Sequence, residues 1–177
     1  MQFLKTLTAA VCLLATAQAA APVPRPARDL VLTDTAGKPI HLSSYKGKVV
    51  LIQFLFTNCI HCQATARLNS KLQADLGPQG LQVLGAAFNE EALLTPDPIR
   101  AFMATHAAFP VGAVPRDSVL SFLGVSVMTR LVVPQIVIID RNGTIQAQCD
   151  PSEGSPELQT ESHLREFLGG LLKQHQP

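Results

Sequence analysis

The sequence predicts an α/β domain in which one central mixed β-sheet is flanked by helices on both faces and preceded by an N-terminal β-hairpin. Two observations favour this class. Residues 49–56 are almost continuously apolar, which is typical of a central strand buried on both faces. Strand and helix patterns then alternate along the chain before a late hairpin and a final helix.

The first elements lie on either side of this buried strand. Residues 30–32 and 40–42 are apolar runs joined by a turn with Gly37 at the positive-φ position, so they predict a hairpin. After Cys59, apolar residues recur every four positions, which predicts an amphipathic helix with its C-cap at Gly77. The residues of that apolar face are Ala64, Leu68, Leu72 and Leu76.

The middle of the chain repeats the strand-helix order. Residues 81–88 predict a strand and residues 95–106 a helix. Thr95 fits the N-cap of that helix and Pro96 its first position. Its apolar face would consist of Ile99, Phe102 and Met103.

The last third predicts a short helix, a hairpin and a terminal helix. Residues 117–123 form the short helix, which ends at Gly124. Residues 135–139 and 144–149 are the two arms of the hairpin. The terminal helix carries Leu164, Phe167, Leu168 and Leu171 at helical spacing.

Composition excludes several classes of protein. The chain has 177 residues, of which 47% are hydrophobic, so it can bury a core and is not intrinsically disordered. Fourteen basic residues against 13 acidic ones give a formal charge of +1. This balance leaves no excess of basic residues that would attract nucleic acid or an anionic membrane surface.

The N-terminus predicts a signal peptide over residues 1–19. Lys5 precedes a short apolar run, and Ala17-Gln18-Ala19 has the small-x-small pattern of a cleavage site. The run is too short for a retained membrane anchor, and Cys12 would leave with the signal. Residues 20–28 would then be a Pro-rich linker and residues 29–175 the domain. We expect an exported protein without stable membrane insertion, located in the bacterial periplasm, where disulfide chemistry is available.

The chemistry is concentrated in Cys59-Ile60-His61-Cys62, which opens the first helix. Two thiols at this spacing can close a small disulfide ring. Unpaired N–H groups at a helix start stabilise a thiolate on Cys59. Cys62 lies further into the helix and can attack a mixed disulfide formed by Cys59.

A structural disulfide and a zinc site are the alternatives for this motif. A bridge that closes so short a loop constrains the unfolded chain little. Zinc needs four ligands, whereas the other histidines of the domain are solitary, so we expect neither a metal nor another cofactor. Those histidines are His41, His106, His163 and His175.

The motifs together resemble a known family. They are Leu-Thr-Asp…Gly-Lys-Pro in the first hairpin, Tyr-Lys-Gly-Lys-Val-Val-Leu before the central strand, the Cys-x-x-Cys, and Val-Pro-Gln-Ile-Val-Ile-Ile-Asp-Arg-Asn-Gly. The chain resembles the thioredoxin superfamily, specifically exported TlpA/ResA-like (redoxin, AhpC/TSA-like) thiol–disulfide oxidoreductases. The resemblance implies a thioredoxin-like fold, protein thiols and disulfides as substrates, and a membrane redox partner. It also implies that Val133-Pro134 is a cis peptide facing the Cys-x-x-Cys.

Three positions depart from the family pattern. The three residues before the first cysteine are Phe56-Thr57-Asn58, whereas family members often have a Trp there. Thr65 stands where a Glu often follows the second cysteine, and Gln53 where thioredoxins have a buried Asp. The sequence therefore identifies no proton carrier for Cys62. Glu90 and Glu91 are candidates, although acids after a strand are usually solvated.

His61 and Pro134 complete the predicted site, whose catalytic residues are Cys59, Cys62, His61 and Pro134. An imidazole between two cysteines can stabilise the Cys59 thiolate and so favour the reduced form. We expect a reduction potential between about −270 mV for thioredoxin and about −120 mV for DsbA. Pro134 cannot donate to a sheet, so it belongs at a strand start, where the extended segment beside the thiols could pair with substrate backbone.

Two other functions fit parts of the sequence. A thiol peroxidase of the peroxiredoxin kind needs Thr-x-x-Cys, whereas Thr57-Asn58-Cys59 is one residue short. A Sco-like copper(I) chaperone needs Cys-x-x-x-Cys and a His where this chain has Leu131-Val132-Val133-Pro134.

Cys149 is the remaining thiol of the domain. Strand alternation predicts Ile145, Ala147 and Cys149 on one face. We interpret Cys149 as a buried apolar filler and not as a second resolving thiol, because free cysteines are among the most buried residues.

Overall fold

The structure, a computed structural model, describes residues 21–174. The predicted signal peptide, with Cys12, lies outside these residues, so its prediction stays untested. None of the helices between residues 21 and 174 combines the length and apolar character needed to span a bilayer.

Eight strands form one mixed sheet. The strands are β1 (Arg25–Pro26), β2 (Val31–Thr33), β3 (Pro39–His41), β4 (Val49–Leu55), β5 (Leu81–Ala87), β6 (Val111–Ala113), β7 (Gln135–Ile139) and β8 (Thr144–Gln148). Their order across the sheet is β1-β8-β7-β4-β5-β6-β2-β3. Strand β4 pairs in parallel with β5 and antiparallel with β7. Both predicted hairpins are present, whereas β1, within the proposed linker, and the short β6 had no sequence signal.

Helices cover both faces of this sheet, as predicted. They are α1 (Ile60–Leu76), α2 (Glu90–Leu94), α3 (Asp97–His106), α4 (Arg116–Leu123) and α5 (Glu161–Lys173). One apolar cluster joins the sheet to α1, α3 and α5, and a second joins it to α4 and the N-terminal hairpin. The thioredoxin-like fold expected from the resemblance is therefore confirmed.

Strand β4 lies at the centre of the sheet and all seven of its residues are buried. Its side chains alternate between the two clusters, which is why its sequence is almost wholly apolar. The carboxyl ends of β4 and β5 and the start of β7 meet at one edge of the sheet because of their pairing directions. The Cys-x-x-Cys follows β4 at that edge.

The predicted apolar face of α1 is partly wrong. Ala64 is exposed, and Leu68 and Leu76 are only partly buried. The buried face instead consists of Cys62, Thr65, Ala66, Asn69 and Leu72. Asn69 lies inside because α1 packs over β4, where the buried Gln53 needs hydrogen-bond partners.

The predicted C-cap of α1 at Gly77 is confirmed, but Gly77 keeps a right-handed conformation, and a 3₁₀ turn (Gly77–Gln79) carries the chain to Gly80, which has the positive φ of 106°. The predicted start of the next helix is wrong. Helix α3 begins at Asp97 and not after a Thr95 cap. Thr95 is extended because it ends the short α2, which had not been predicted.

The alternation predicted for the last strand is also wrong in part. Ile138 pairs with Ala147 but Ile139 pairs with Ile145, so a β-bulge lies at Gln146. The extra residue turns Ile145 to the opposite face of the sheet from Ala147 and Cys149.

Candidate active site

Cys59 lies between the end of β4 and the first residue of α1, where it is the N-cap of the helix. The backbone N–H of Cys62 donates to Cys59 Sγ at 3.2 Å. The sulfur thus occupies the place of a capping oxygen and accepts from an N–H that the helix leaves free. The predicted position of Cys59 at the start of the first helix is thus present in the structure.

Cys62 is fully buried beneath the half-buried Cys59. Burial, and then the hydrogen bond between the two thiols, raise the pKa of Cys62 well above its usual range. Cys62 therefore keeps its proton at neutral pH, whereas Cys59 reaches the surface. Of the two sulfurs, only that of Cys59 is therefore accessible from solvent.

His61 and Ile60 lie on the outer side of the first turn of α1. Ile60 is 71% exposed and His61 is also exposed. Within residues 21–174 the ring of His61 has no hydrogen-bond partner, so any effect on Cys59 would act through space. Its predicted role stays a prediction.

The segment before β7 supplies the opposite wall of the site. The Val133-Pro134 peptide is cis, as the resemblance implied. The Cys59 thiol donates to the Val133 carbonyl oxygen across 3.9 Å. Pro134 is buried, and β7 begins at the next residue.

A family comparison decides the relationship of this chain to known proteins. The model of the AhpC/TSA family matches residues 23–148. The chain belongs to the AhpC/TSA family. The matched segment contains the whole Cys-x-x-Cys, the cis-proline and the strands that hold them.

Individual relatives of this AhpC/TSA family member are similar over the same region. The chain is 29% and 30% identical over 120 residues to the proteins named thiol-disulfide oxidoreductase ResA of Geobacillus thermodenitrificans and Geobacillus kaustophilus. Each match covers 68% of this chain and 64% of the relative's length.

Solved structures share the fold. A candidate DsbE thiol:disulfide interchange protein from Chlorobium tepidum superposes with a TM-score of 0.63 at 26% identity, covering 82% of this chain and 97% of its own. The thioredoxin domain of a thiol-disulfide oxidoreductase from Bacteroides vulgatus gives a TM-score of 0.65 at 17% identity, covering 84% and 99%.

Buried polar residues surround the site of this AhpC/TSA protein, and the sequence analysis did not single out Asn69, Asn89 or Gln135. Among residues 21–174, the five buried polar side chains are those of Gln53, Thr65, Asn69, Asn89 and Gln135. Asn89 follows β5 and binds Thr57, in the approach to Cys59. An amide in an apolar strand is a sequence signal that Gln53 and Gln135 share, whereas Asn69, in α1, and Asn89, after β5, carry no such signal.

Gln135 supports the cis-proline segment. Its Nε2 donates to the carbonyl oxygens of Val132 at 2.9 Å and Asp150 at 3.1 Å. It also lies 3.4 Å from the carbonyl oxygen of Pro151, which itself accepts from the N–H of Val132. These bonds join the irregular segment before Pro134 to the chain that leaves β8.

The two candidate acids, Glu90 and Glu91, begin α2 and are exposed. Asn89 Nδ2 donates to Glu91 Oε2 at 2.9 Å, and this bond lowers the pKa of Glu91. Glu91 is therefore ionised at neutral pH, as expected of a solvated acid.

Cys149 is a buried free thiol, 1% exposed. Its N–H donates to the Ile136 carbonyl oxygen at 2.9 Å, and burial raises its pKa. These features agree with an apolar filler. Between residues 21 and 174, no cluster of three or more His, Cys, Asp or Glu side chains could hold a metal ion.

Proposed function

We propose that the protein is a thiol–disulfide oxidoreductase that exchanges disulfides with exported protein substrates through Cys59 and Cys62. One observation carries the proposal. A half-buried Cys59 at the N-cap of α1 accepts the N–H of a fully buried Cys62. This arrangement supplies a stabilised nucleophile and a protected resolving thiol within one helical turn.

The exchange proceeds in two steps. The Cys59 thiolate attacks a substrate disulfide, so a Cys59–substrate disulfide forms and the other substrate sulfur leaves as a thiolate. Cys62 then loses its proton to solvent base and attacks Cys59 Sγ. The Cys59–Cys62 disulfide forms, the bond to substrate breaks, and the substrate leaves reduced by two electrons.

Three further features support an exported protein substrate. The predicted signal peptide would deliver the chain to an oxidising compartment. The Val133 carbonyl lies beside Cys59, where an extended substrate backbone could bind, and Pro134 offers no competing N–H. The resemblance to exported TlpA/ResA-like oxidoreductases implies a membrane redox partner, and in this proposal that partner returns the Cys59–Cys62 couple to its starting state between turnovers.

Substitution of each cysteine tests the proposal. Cys59→Ser should abolish reduction of insulin disulfides, because the other two thiols of residues 21–174, Cys62 and Cys149, are buried. Cys62→Ser should accumulate a mixed disulfide with substrate, detectable by mass spectrometry. Normal exchange by Cys59→Ser would refute the assignment, as would failure of Cys62→Ser to trap any substrate.

The same preparation separates the other two functions. Peroxide consumption without insulin reduction would favour a thiol peroxidase. Anaerobic copper(I) binding at one equivalent, without either activity, would favour a copper chaperone. We expect insulin reduction to be the activity that depends on both cysteines.

A further inference from the structure

The backbone of Cys62 is held by a pair of buried amides. Gln53 Nε2, from the middle of β4, donates to the Cys62 carbonyl oxygen at 2.8 Å. Asn69 Nδ2, two helical turns further along α1, donates to Gln53 Oε1 at 2.9 Å. Both amide side chains are fully buried, so each bond is formed without competition from water.

Burying these two amides costs free energy, which suggests that they are retained for the site and not for stability. Asn69 Oδ1 has no hydrogen-bond partner within the described part of the chain, although it is buried. An orphaned buried acceptor costs free energy, and two leucines in the same places would fill the core without it. The pair places a polar contact under the first turn of α1, where Cys62 must remain within reach of Cys59.

No ionisable group takes part in this contact. Cys59 is the titratable group that shares a hydrogen bond with Cys62. Strands β4 and β5 have no charged residue, and Glu90 and Glu91 of α2 are exposed. Apart from Cys62, no titratable side chain of α1, α3 or α5 is buried: Arg67 contacts His106, Lys71 contacts Glu161 and Asp75 contacts Arg165, while Asp97, Arg100, His163, Glu166 and Lys173 are exposed.

We propose that Gln53 and Asn69 are a neutral positioning pair for the resolving thiol. The inference rests on the proposed function and deepens it. The pair fixes the turn that carries Cys62, so that Cys62 Sγ attacks Cys59 Sγ as soon as the mixed disulfide forms. Because neither amide titrates, the proton of Cys62 passes to solvent base and the second step follows the ionisation of Cys62 alone.

The two steps can be observed separately with an aromatic disulfide that releases a coloured thiolate. Attack by Cys59 releases one thiolate, and attack by Cys62 on the resulting mixed disulfide releases a second. A Cys12→Ala, Cys149→Ala background leaves Cys59 and Cys62 as the only thiols. Stopped-flow absorbance then gives a first phase that depends on reagent concentration and a second that does not.

We expect Gln53→Leu to slow the second phase about three- to ten-fold, the equivalent of one hydrogen bond, and to leave the first phase unchanged. Gln73→Leu is the matched control. Gln73 also joins α1 to β5, accepting the Val83 N–H at 2.6 Å, but it does so at the other end of the helix. The Gln73→Leu variant should have a lower free energy of unfolding but an unchanged rate of the second phase.

The double variant Gln53→Leu, Asn69→Leu separates positioning from stability. Replacing both partners of a buried hydrogen bond by apolar groups restores much of the stability lost in Gln53→Leu. The second phase should nevertheless stay slow. Recovery of its rate together with stability, or an equal slowing by Gln73→Leu, would overturn the positioning role.

The pH profile of the second phase tests the neutral character of the pair. The wild-type profile should rise with one ionisation, and Gln53→Glu should add another, because a buried carboxyl titrates above its usual range. Two ionisations in the wild type would overturn the inference. Absence of the first phase in the wild type would instead refute the proposed function.

Discussion

Asn89 binds Thr57 at two points: its Oδ1 accepts the Thr57 N–H at 3.1 Å, and its Nδ2 donates to Thr57 Oγ1 at 3.0 Å. The two residues lie just beyond the ends of the parallel strands β5 and β4. Asn89 therefore fixes the loop that leads into Cys59. The approach to Cys59 is thus held by a side chain 32 residues away in sequence.

We expect Asn89→Ala to lower both stability and reactivity. The loss of two hydrogen bonds to a partly buried loop should reduce the free energy of unfolding by about 1–3 kcal/mol. The rate of exchange at Cys59 should fall because the loop is no longer fixed. Urea denaturation and insulin reduction would measure the two effects. Asn142→Ala, at an exposed turn, is the control; equal effects from both variants would contradict the prediction.

His61→Ala should move the alkylation of Cys59 to higher pH. The predicted role of His61 is to favour the reduced form of the couple, so its removal should make the reduction potential more negative. Iodoacetamide labelling across a pH series and equilibration with glutathione would test the two effects. Ile60→Ala, the adjacent exposed position, should change neither. An unchanged labelling profile in His61→Ala would show that the imidazole is a bystander.

Cys149 should remain a free thiol when the active-site couple is oxidised. In a Cys12→Ala chain, thiol titration after denaturation should find one thiol per molecule, and peptide mapping should place it at Cys149. The native protein should react there slowly, because the side chain is buried. A disulfide from Cys149 to Cys59 or Cys62 would disprove the filler role and indicate a three-thiol relay.

The reduced protein should lose stability as the pH rises above about 8.5, where thiols of an unfolded chain ionise. Burial raises the pKa values of Cys62 and Cys149 in the folded state, so the folded chain keeps two protons that the unfolded chain releases. The free energy of unfolding that these two protonated thiols contribute is fully present below about pH 8.5. Above that pH it decreases by up to about 1.4 kcal/mol per pH unit for each thiol.

Urea midpoints from pH 7 to 10 in the presence of a reductant would measure this loss. Cys149→Ala should remove about half of the slope assigned to the two thiols, which separates it from the titration of other groups. A wild-type slope equal to that of the Cys149→Ala variant would contradict the assignment to Cys149.

Local patterns in the sequence determined much of the fold. The apolar run of β4, the helix that starts after Cys59 and the late hairpin around Gly143 each depend on residues close together in the chain. The position of both thiols at a helix start follows from the same local pattern. The cis peptide at Pro134 was predicted from the resemblance to a family, because no local pattern in the sequence specifies it.

Tertiary structure alone decided which polar groups meet around the thiols. Gln53, Asn69 and Asn89 come from separate elements, and their contacts depend on β4 lying under α1 and beside β5. The bulge at Gln146 likewise appears only when β8 is aligned with β7. Periodicity describes one element at a time, whereas a buried amide is stabilised by partners that only the packed sheet and helix bring within hydrogen-bond distance.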